Sequence, residues 1–255
     1  MNLGYLMIPR TSTNGAPLRD TGRAEMARTL GMSEFYAIAP KDPAEDTQTC
    51  TTSPEHANAL CTLPELPEHP MPKVVAIDGK RQSACETGAA NNLAVPSVTP
   101  EQVTTNAHLH QATFSVSWLN KSDLARHWAA HVSGSTHAGL RARPEAWRVA
   151  RTILVCSDTA RAEAAVKSEN SPCRAYYRKM AEPGTDLDAL IDDCVLYGSL
   201  DTVQDRLREI LDATGPFGTL TLVDHAWPDE SLAQQSLVSL TSALAPMKLR
   251  SRTAT

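Results

Sequence analysis

The sequence predicts an α/β fold, a TIM-barrel-like (β/α) barrel that is incomplete, on two observations. The chain has 255 residues, which is the size of one (β/α)₈ barrel. Short apolar runs rich in β-branched residues alternate with stretches at helical spacing, as in βα units around a parallel sheet. About seven such strands are recognised, one short of a closed eightfold barrel. We therefore expect a single barrel domain over residues 1–255.

The predicted strands are short runs that end at turn residues or helix caps. They are, in order, Asn2–Ile8, Glu34–Ala39, Lys73–Asp78, Leu93–Ser97, Thr113–Leu119, Trp147–Cys156 and Gly218–Val223. Residues 41–72 are polar and rich in proline, so we expect an irregular segment there. Residues 249–255 are expected to form a frayed tail.

The composition excludes several classes of function. Hydrophobic residues make up 42% and charged residues 21% of the chain, which is ordinary for a soluble globular enzyme. Lys and Arg total 24 against 29 Asp and Glu, a net charge of −5 without a basic block, so nucleic-acid binding is not expected. No apolar run approaches the roughly 18 residues of a membrane span, and the apolar start lacks the charged segment of a signal peptide. We expect a cytoplasmic protein with no membrane partner.

Cysteine and histidine spacings argue against a metal site. The cysteines are scattered without a C-x-x-C pair, so reduced cytoplasmic thiols are expected rather than a zinc site or a disulfide framework. The six cysteines are Cys50, Cys61, Cys85, Cys156, Cys173 and Cys194. His127 and His131 are one helical turn apart, a spacing that can bind a metal. Because the pattern offers no third ligand, we expect both on a helix surface.

Motifs in the C-terminal half resemble a known family. They are a strand with its helix cap, Trp147–Thr159, a turn, Gly198–Val203, and a last strand with its exit loop, Gly215–Trp227. In this order and spacing they resemble the bacterial-luciferase-like family, a group of flavin-linked oxygenases with TIM-barrel folds. Ala94–Pro100 is similar to the family strand whose end helps to bind the flavin phosphate.

The resemblance implies a barrel that binds reduced FMN from a separate flavin reductase, with a deazaflavin as the alternative cofactor. It also implies a homodimer or heterodimer. The pair Tyr176 and Tyr177 resembles an aromatic and basic helix that packs near the edge of the cofactor. This chain is shorter than most members, because between Asp78 and Leu93 it lacks a piece that normally supplies part of the flavin cradle.

His225 and Asp224 are the predicted catalytic residues. A TIM barrel has its active site where the carboxyl ends of the strands meet the following loops, and both residues lie at the end of the last predicted strand. An imidazole there can act as a general acid or base near neutral pH. The alternative is a loop histidine that bonds to the backbone or pairs with Asp224.

Ser97, Thr99, Trp118, Gly198 and Ser199 are the predicted cofactor contacts. Hydroxyls and unpaired N–H groups at a helix N-terminus suit a phosphate, which favours the turns at Ser97 and at Gly198. Ordinary N-capping is the alternative for both turns. Trp118 ends a predicted strand, where its ring can line an isoalloxazine pocket or pack in the core.

Three functions are open on the sequence. The first is a flavin-dependent monooxygenase that oxygenates a small organic substrate, as in secondary metabolism, and depends on a separate reductase because no nicotinamide motif of the form G-x-G-x-x-G is present. The second is a barrel without redox chemistry that uses His225 and Asp224 for acid–base work, as an isomerase or cyclase. The third is a non-catalytic flavin-binding protein or helper subunit. Fold alone does not choose among them.

Overall fold

A nine-stranded sheet dominates the fold. The computed structural model describes residues 1–7, 10–11, 17–18, 26–27, 29–32, 34–38, 73–77, 82–84, 94–225 and 227–250. The predicted irregular segment 41–72 lies outside these residues, and so do residues 251–255 of the predicted tail. The last helix runs to Arg250, so the predicted tail begins within that helix.

The strands and helices follow the alternation that the sequence predicts. The strands are β1 (Asn2–Met7), β2 (Arg10–Thr11), β3 (Pro17–Leu18), β4 (Glu34–Ile38), β5 (Lys73–Ile77), β6 (Gln82–Ala84), β7 (Ala94–Ser97), β8 (Ala112–Ser115), β9 (Trp147–Val155), β10 (Val195–Gly198) and β11 (Thr219–Asp224). The helices whose full extent the structure describes are α1 (Pro100–His108), α2 (Lys121–His137), α3 (Thr159–Lys167), α4 (Pro172–Met180), α5 (Leu187–Cys194), α6 (Leu200–Thr214) and α7 (Glu230–Arg250), with a 3₁₀ turn at Pro144–Ala146.

The large sheet has the strand order β6-β5-β4-β1-β11-β9-β8-β7, with β10 beside β9. Its strands are parallel except for β6, which pairs antiparallel to β5. Strand β7 lies near β5 and β6, but no ladder joins them within the described part of the chain. The barrel is therefore not closed, which confirms the incomplete barrel that the sequence predicts.

Strand β10 is an element that the sequence analysis did not predict. Its four residues follow helix α5 directly, and a run this short shows no alternation of apolar and polar positions. In the structure it pairs with the second half of β9, from Thr152 to Val155. Strand β8 pairs with the first half of β9, from Trp147 to Val149.

Strand β9 pairs with three strands of the sheet, β8, β10 and β11, and all of its residues are buried. Burial on both faces is typical of a parallel strand that is covered by helices. Side chains alternate along a strand. Ile153 and Leu222 of β11 point to the same face of the sheet, and helix α7 packs on that face. We call this the α7 face. Thr152 and Leu154 point to the opposite face, where Leu154 shares an apolar cluster with Tyr177 of α4.

The helices begin where the sequence places capping residues. Side-chain oxygens accept hydrogen bonds from first-turn amides at the starts of α1 to α6, and these caps are Thr99, Asn120, Asp158, Ser171, Asp186 and Ser199. Such caps satisfy backbone donors that have no partner within the helix. Among the described helices, none is long and apolar enough to cross a membrane.

Candidate functional site

Five buried side chains meet at the carboxyl ends of β9 and β11, and we call them the hydroxyl–aromatic cluster. Its members are Ser117, Thr152, Tyr176, Tyr177 and His225, each at most 8% exposed. The His225 Nε2 atom lies 2.8 Å from the Thr152 hydroxyl. The Tyr177 hydroxyl donates to Thr152 Oγ1 at 3.2 Å and to the Ser117 carbonyl oxygen at 3.3 Å. The Ser117 hydroxyl lies 2.9 Å from that of Tyr176.

Local structure explains how these residues converge. Thr152 lies on the face of β9 opposite to α7, and His225 directly follows β11. Helix α4 begins at the Ser171 cap and carries both tyrosines. The sequence predicts the two tyrosines to lie near the cofactor but does not single out Thr152, because a threonine in a buried strand is common and carries no motif.

Aromatic rings surround the imidazole of His225. Its centroid lies 5.1 Å from that of Tyr176 and 5.4 Å from that of Trp227, in edge-on arrangements. Trp118 continues the group, with its ring edge-on to Tyr176 at 6.2 Å. Of the predicted cofactor contacts, Trp118 is the one that lies beside the cluster, and its side chain is only partly buried.

The cluster carries no net charge. Burial lowers the pKa of His225 to about 3, so the ring is neutral at physiological pH. Burial also raises the pKa of the Tyr176 and Tyr177 phenols, which stay protonated. His225 is 1% exposed and lies among aromatic rings rather than at a solvent-facing loop. Its catalytic role stays a prediction.

Arg151 is a buried cation beside the cluster. Its Nη1 donates to the carbonyl oxygens of Ser117 and Ala150 at 3.3 and 2.9 Å, and its Nη2 donates to that of Leu119 at 2.8 Å. Burial lowers the pKa of Arg151, yet a guanidinium remains charged in proteins. The side chain thereby holds the segment after β8, which carries Ser117 and Trp118. An arginine within an otherwise apolar strand is the sequence signal that could have pointed to this role.

Asp224 does not share a site with His225, although the two are neighbours in sequence. The Tyr5 hydroxyl donates to Asp224 Oδ2 at 2.7 Å. Both side chains line a cavity of about 40 Å³ on the α7 face, together with Trp227 and Gln234. A cavity of that size holds one or a few water molecules. The structure therefore separates the predicted catalytic pair between the two faces of the sheet, and a catalytic role for Asp224 stays a prediction.

The turn with Ser97 and Thr99 is engaged in capping helix α1. The Thr99 hydroxyl accepts from the Gln102 amide at 3.4 Å, and Gln102 Oε1 accepts from the amides of Val98 and Thr99 at 2.8 and 3.1 Å. Ser97 is buried and accepts from Asn106 Nδ2 at 2.9 Å. The capping alternative is confirmed for Thr99, while phosphate binding here stays a prediction.

The turn with Gly198 and Ser199 caps helix α6. The Ser199 hydroxyl accepts from the Thr202 amide at 3.2 Å, so capping is confirmed here too. Gly198 has a φ of 120°, a conformation that favours glycine, and its carbonyl accepts from the Cys156 amide at 2.8 Å. A cofactor contact at this turn stays a prediction.

The prediction that His127 and His131 lie on a helix surface is wrong. Both are buried, at 1% and 2% exposure. His127 bonds to the Ser115 hydroxyl at 2.9 Å through Nδ1, and the ring of His131 stacks on Trp128 with centroids 5.4 Å apart. Burial lowers the pKa of both imidazoles. A spacing of four residues places two side chains on one face of a helix but does not say which face is buried.

Metal and thiol chemistry can be stated for the described residues only. Within them, no group of three or more His, Cys, Asp or Glu side chains is arranged to hold a metal ion. Among the cysteines that the structure describes, Cys156, Cys173 and Cys194 are free, buried thiols. Burial raises the pKa of Cys194 to about 11, so this thiol is not a ready nucleophile.

Comparisons with known proteins find likeness at the level of structure. No family model and no curated protein matches the sequence. The oxygenating constituent of 3,6-diketocamphane monooxygenase from Pseudomonas putida, a type II Baeyer–Villiger monooxygenase solved with FMN, matches with a TM-score of 0.50 and 23% identity. The match covers 61% of this chain and 48% of that one, so the chain spans about half the length of this neighbour.

Two further solved structures match over nearly the whole chain. An F420-dependent secondary alcohol dehydrogenase, solved with an F420-acetone adduct, has a TM-score of 0.57 and 11% identity, covering 94% of this chain and 98% of its own. Flavoprotein 390 has a TM-score of 0.55 and 11% identity, covering 100% and 98%. The neighbours are TIM-barrel luciferase-like monooxygenases and F420-dependent oxidoreductases. The chain therefore has the luciferase-like barrel fold.

Proposed function

We propose that this chain is a luciferase-like oxidoreductase that binds a flavin-type cofactor, FMN or deazaflavin F420, and oxygenates a small organic substrate. The observation that carries the proposal is the position of the hydroxyl–aromatic cluster. It lies at the carboxyl ends of parallel strands, where barrel enzymes bind their ligands. The fold around it is shared with proteins whose structures contain FMN and F420.

The chemistry of the cluster fits the ring of such a cofactor. The ring is flat and largely apolar, with hydrogen-bonding atoms along its edge. Neutral hydroxyls can donate or accept without the cost of a buried charge, and the cluster supplies them at Ser117, Thr152 and both tyrosines. The partly buried indole of Trp118 adds an aromatic surface beside them. When bound, the cofactor supplies the redox chemistry.

The chain's own residues have three tasks in this proposal. The packed rings of Tyr176, His225 and Trp227 exclude water from the carboxyl ends of β9 and β11. Tyr177 keeps its proton, because burial raises its pKa, and so it remains a donor. Arg151 holds the backbone that carries Ser117 and Trp118. Together these residues orient a bound ring and keep solvent away from it.

A partner and a substrate class complete the proposal. Because the sequence has no nicotinamide motif, a separate reductase would supply the reduced cofactor. The substrate would be a small organic molecule, as expected for an oxygenase of secondary metabolism.

A second candidate is a flavin-binding protein without turnover. The observation that favours it is the match with flavoprotein 390, which extends over the whole of this chain and 98% of that protein. The acid–base alternative has less support, because the predicted general acid or base, His225, is buried and neutral.

A cofactor titration tests the proposal. The purified protein is titrated with oxidised FMN, reduced FMN and F420, and binding is followed by flavin fluorescence and absorbance. We expect saturable binding of at least one of them, followed by oxygen-dependent reoxidation of the reduced complex. Binding without a change in the reoxidation rate would support the second candidate. No binding at millimolar concentrations of any of the three would overturn both.

A further inference from the structure

Helix α4 lies over the carboxyl ends of three strands. The Tyr177 hydroxyl donates to Thr152, near the end of β9. The Tyr176 hydroxyl bonds to Ser117, which follows β8, and the Tyr176 ring packs edge-on against His225, which follows β11. In barrel enzymes the carboxyl ends of the strands form the face where ligands bind, and we call this face the mouth. The helix therefore covers the part of the mouth that holds the hydroxyl–aromatic cluster.

The helix in this position leaves no room for a cofactor ring. Tyr177 and Cys173 of α4 are 0% exposed, and Tyr176 is 8% exposed. The cavity on the α7 face and a polar groove between α6 and the start of α2 are both lined by other residues. A flat ring can therefore reach Ser117 and Thr152 only after the two tyrosines move away from them.

Side chains alone fasten α4 to the strands. Among the described residues, no backbone hydrogen bond joins the segment 168–186, which contains α4, to a strand. The backbone bonds of this segment stay within it or reach α3 and α5. The cations Arg174 and Arg178 pair with Glu169 and Asp188, which precede and follow α4 in the chain. An outward movement of the helix thus breaks tyrosine hydrogen bonds and apolar contacts, but no strand ladder.

Both linkers of α4 lie at the surface. Residues 168–170 before the helix and 182–186 after it are exposed. Gly184 in the second linker has a φ of 87°, and a Cβ added there would meet no atom within 4 Å. Segments with few buried contacts open at a lower free energy than the core. The helix can therefore leave the mouth while the sheet stays folded.

We propose that α4 is a lid over the cofactor site, closed when the hydroxyls of Tyr176 and Tyr177 bond to Ser117 and Thr152, and displaced outward when a flavin-type ring enters between them. The inference rests on the proposed function, because the ring is the ligand of that same site. It also explains how a large flat molecule reaches side chains that are at most 8% exposed.

The thiol of Cys173 measures the opening of the lid without any cofactor. It is buried on α4, and burial raises its pKa, so the closed form reacts slowly with iodoacetamide. Alkylation is followed at each cysteine by peptide mass spectrometry, with and without low concentrations of urea. The control is Val149→Cys, which places a thiol in β9 at a residue that is 0% exposed. We expect Cys173 to react at least about tenfold faster than the control thiol, at a rate that low urea leaves unchanged.

Oxidised FMN should hold the lid open. A ligand that binds only the open form shifts the population towards it, so saturating FMN should speed the alkylation of Cys173 by at least about tenfold. The control thiol at position 149 should not react faster, because bound FMN does not unfold the sheet. This readout depends on the position of α4 and needs no turnover.

The hydroxyl of Tyr177 should slow the entry of FMN. Tyr177→Phe removes its bond to Thr152 from the closed form, so the open form becomes about fivefold more populated, the effect of one buried hydrogen bond. The rate of FMN association, measured by stopped-flow fluorescence, should rise by the same factor. Tyr197→Phe should leave this rate unchanged, since the Tyr197 hydroxyl bonds to the exposed Asp192.

The other outcomes separate the lid from the proposed function. Equal rates and equal urea dependence for Cys173 and the control thiol would overturn the inference, since α4 would then leave the mouth only when the whole protein unfolds. FMN binding that leaves the Cys173 rate unchanged or slows it would also overturn it, as would an association rate that Tyr177→Phe does not raise. In each of these cases the proposed function stands. Absence of FMN binding by the unchanged protein would instead overturn the proposed function, and the lid over a cofactor with it.

Discussion

His225 Nε2 and Thr152 Oγ1 lie 2.8 Å apart, although 73 residues separate them in the chain. The parallel pairing of β11 with β9 brings them together, because Val223, two residues before His225, pairs in register with Thr152. The histidine is thereby buried in a group of hydroxyls and rings instead of facing solvent. Its neighbour Asp224 turns to the other face of the sheet and accepts from Tyr5.

The first prediction concerns the pH dependence of stability. The pKa of His225 is about 3 in the folded protein and about 6.5 in an unfolded chain. As the pH falls from about 6.5 towards 3, the unfolded state takes up a proton that the folded state does not, so His225 makes the free energy of unfolding fall by up to about 1.4 kcal/mol per pH unit. This contribution is absent above pH 6.5 or so.

Urea denaturation of the unchanged protein and His225→Gln at several pH values measures this effect. The variant should lose less stability on acidification, because glutamine does not titrate. His127 and His131 are also buried with a lowered pKa, so some acid sensitivity should remain in the variant. Parallel curves for the two proteins between pH 7 and pH 4 would contradict the burial of His225.

The second prediction concerns the hydrogen bonds of Tyr177. Tyr177→Phe removes the hydroxyl that donates to Thr152 and to the Ser117 carbonyl. We expect a loss of about 1 kcal/mol in the free energy of unfolding, the usual contribution of a buried hydrogen bond. Tyr197→Phe is the control, since the Tyr197 hydroxyl bonds to the exposed Asp192 and its removal should change stability by less than about 0.5 kcal/mol. Equal losses in the two variants would refute the assigned network.

The third prediction concerns the guanidinium of Arg151. Arg151→Lys keeps the charge but loses the planar guanidinium, whose two Nη atoms bond to the separate carbonyls of Ser117 and Leu119. A lysine ammonium does not present donors in that fixed arrangement. Hydrogen bonds from charged donors contribute about 1.5–3 kcal/mol, so chemical denaturation should show a loss of that order. Arg126→Lys, at the exposed surface of α2, should change stability by less than about 0.5 kcal/mol. An Arg151→Lys variant as stable as this control would show that the hydrogen bonds from the Arg151 guanidinium do not stabilise the folded protein.

The fourth prediction concerns the ring of Trp118. Trp118→Leu removes an aromatic surface beside Tyr176, and a stacking or edge-on contact contributes about 0.5–1.5 kcal/mol. We expect FMN affinity, measured by fluorescence titration, to fall about two- to tenfold. Trp118→Phe keeps an aromatic ring and should retain most of the affinity. If the leucine variant binds as tightly as the phenylalanine variant, Trp118 belongs to the core and not to the cofactor site.

Features that depend on a short stretch of chain were predictable. The strands around Thr152 and before Asp224 were recognised from their apolar runs, and the caps at Thr99 and Ser199 from their residue types. Strand β10 was missed because its run is short and follows a helix without a break. His127 and His131 were assigned to the wrong environment, since spacing along a helix does not identify the buried face.

The sequence by itself determined the order of βα units, the helix starts and the position of His225 after the last strand, because these depend on local patterns of apolar, capping and turn residues. Only the tertiary structure decided which groups meet there. It paired His225 with Thr152, turned Asp224 towards Tyr5, and left the Thr221 hydroxyl buried without a described partner. The physical reason is that hydrogen-bond partners and burial are set by strand register between segments far apart in the chain, which no local pattern records.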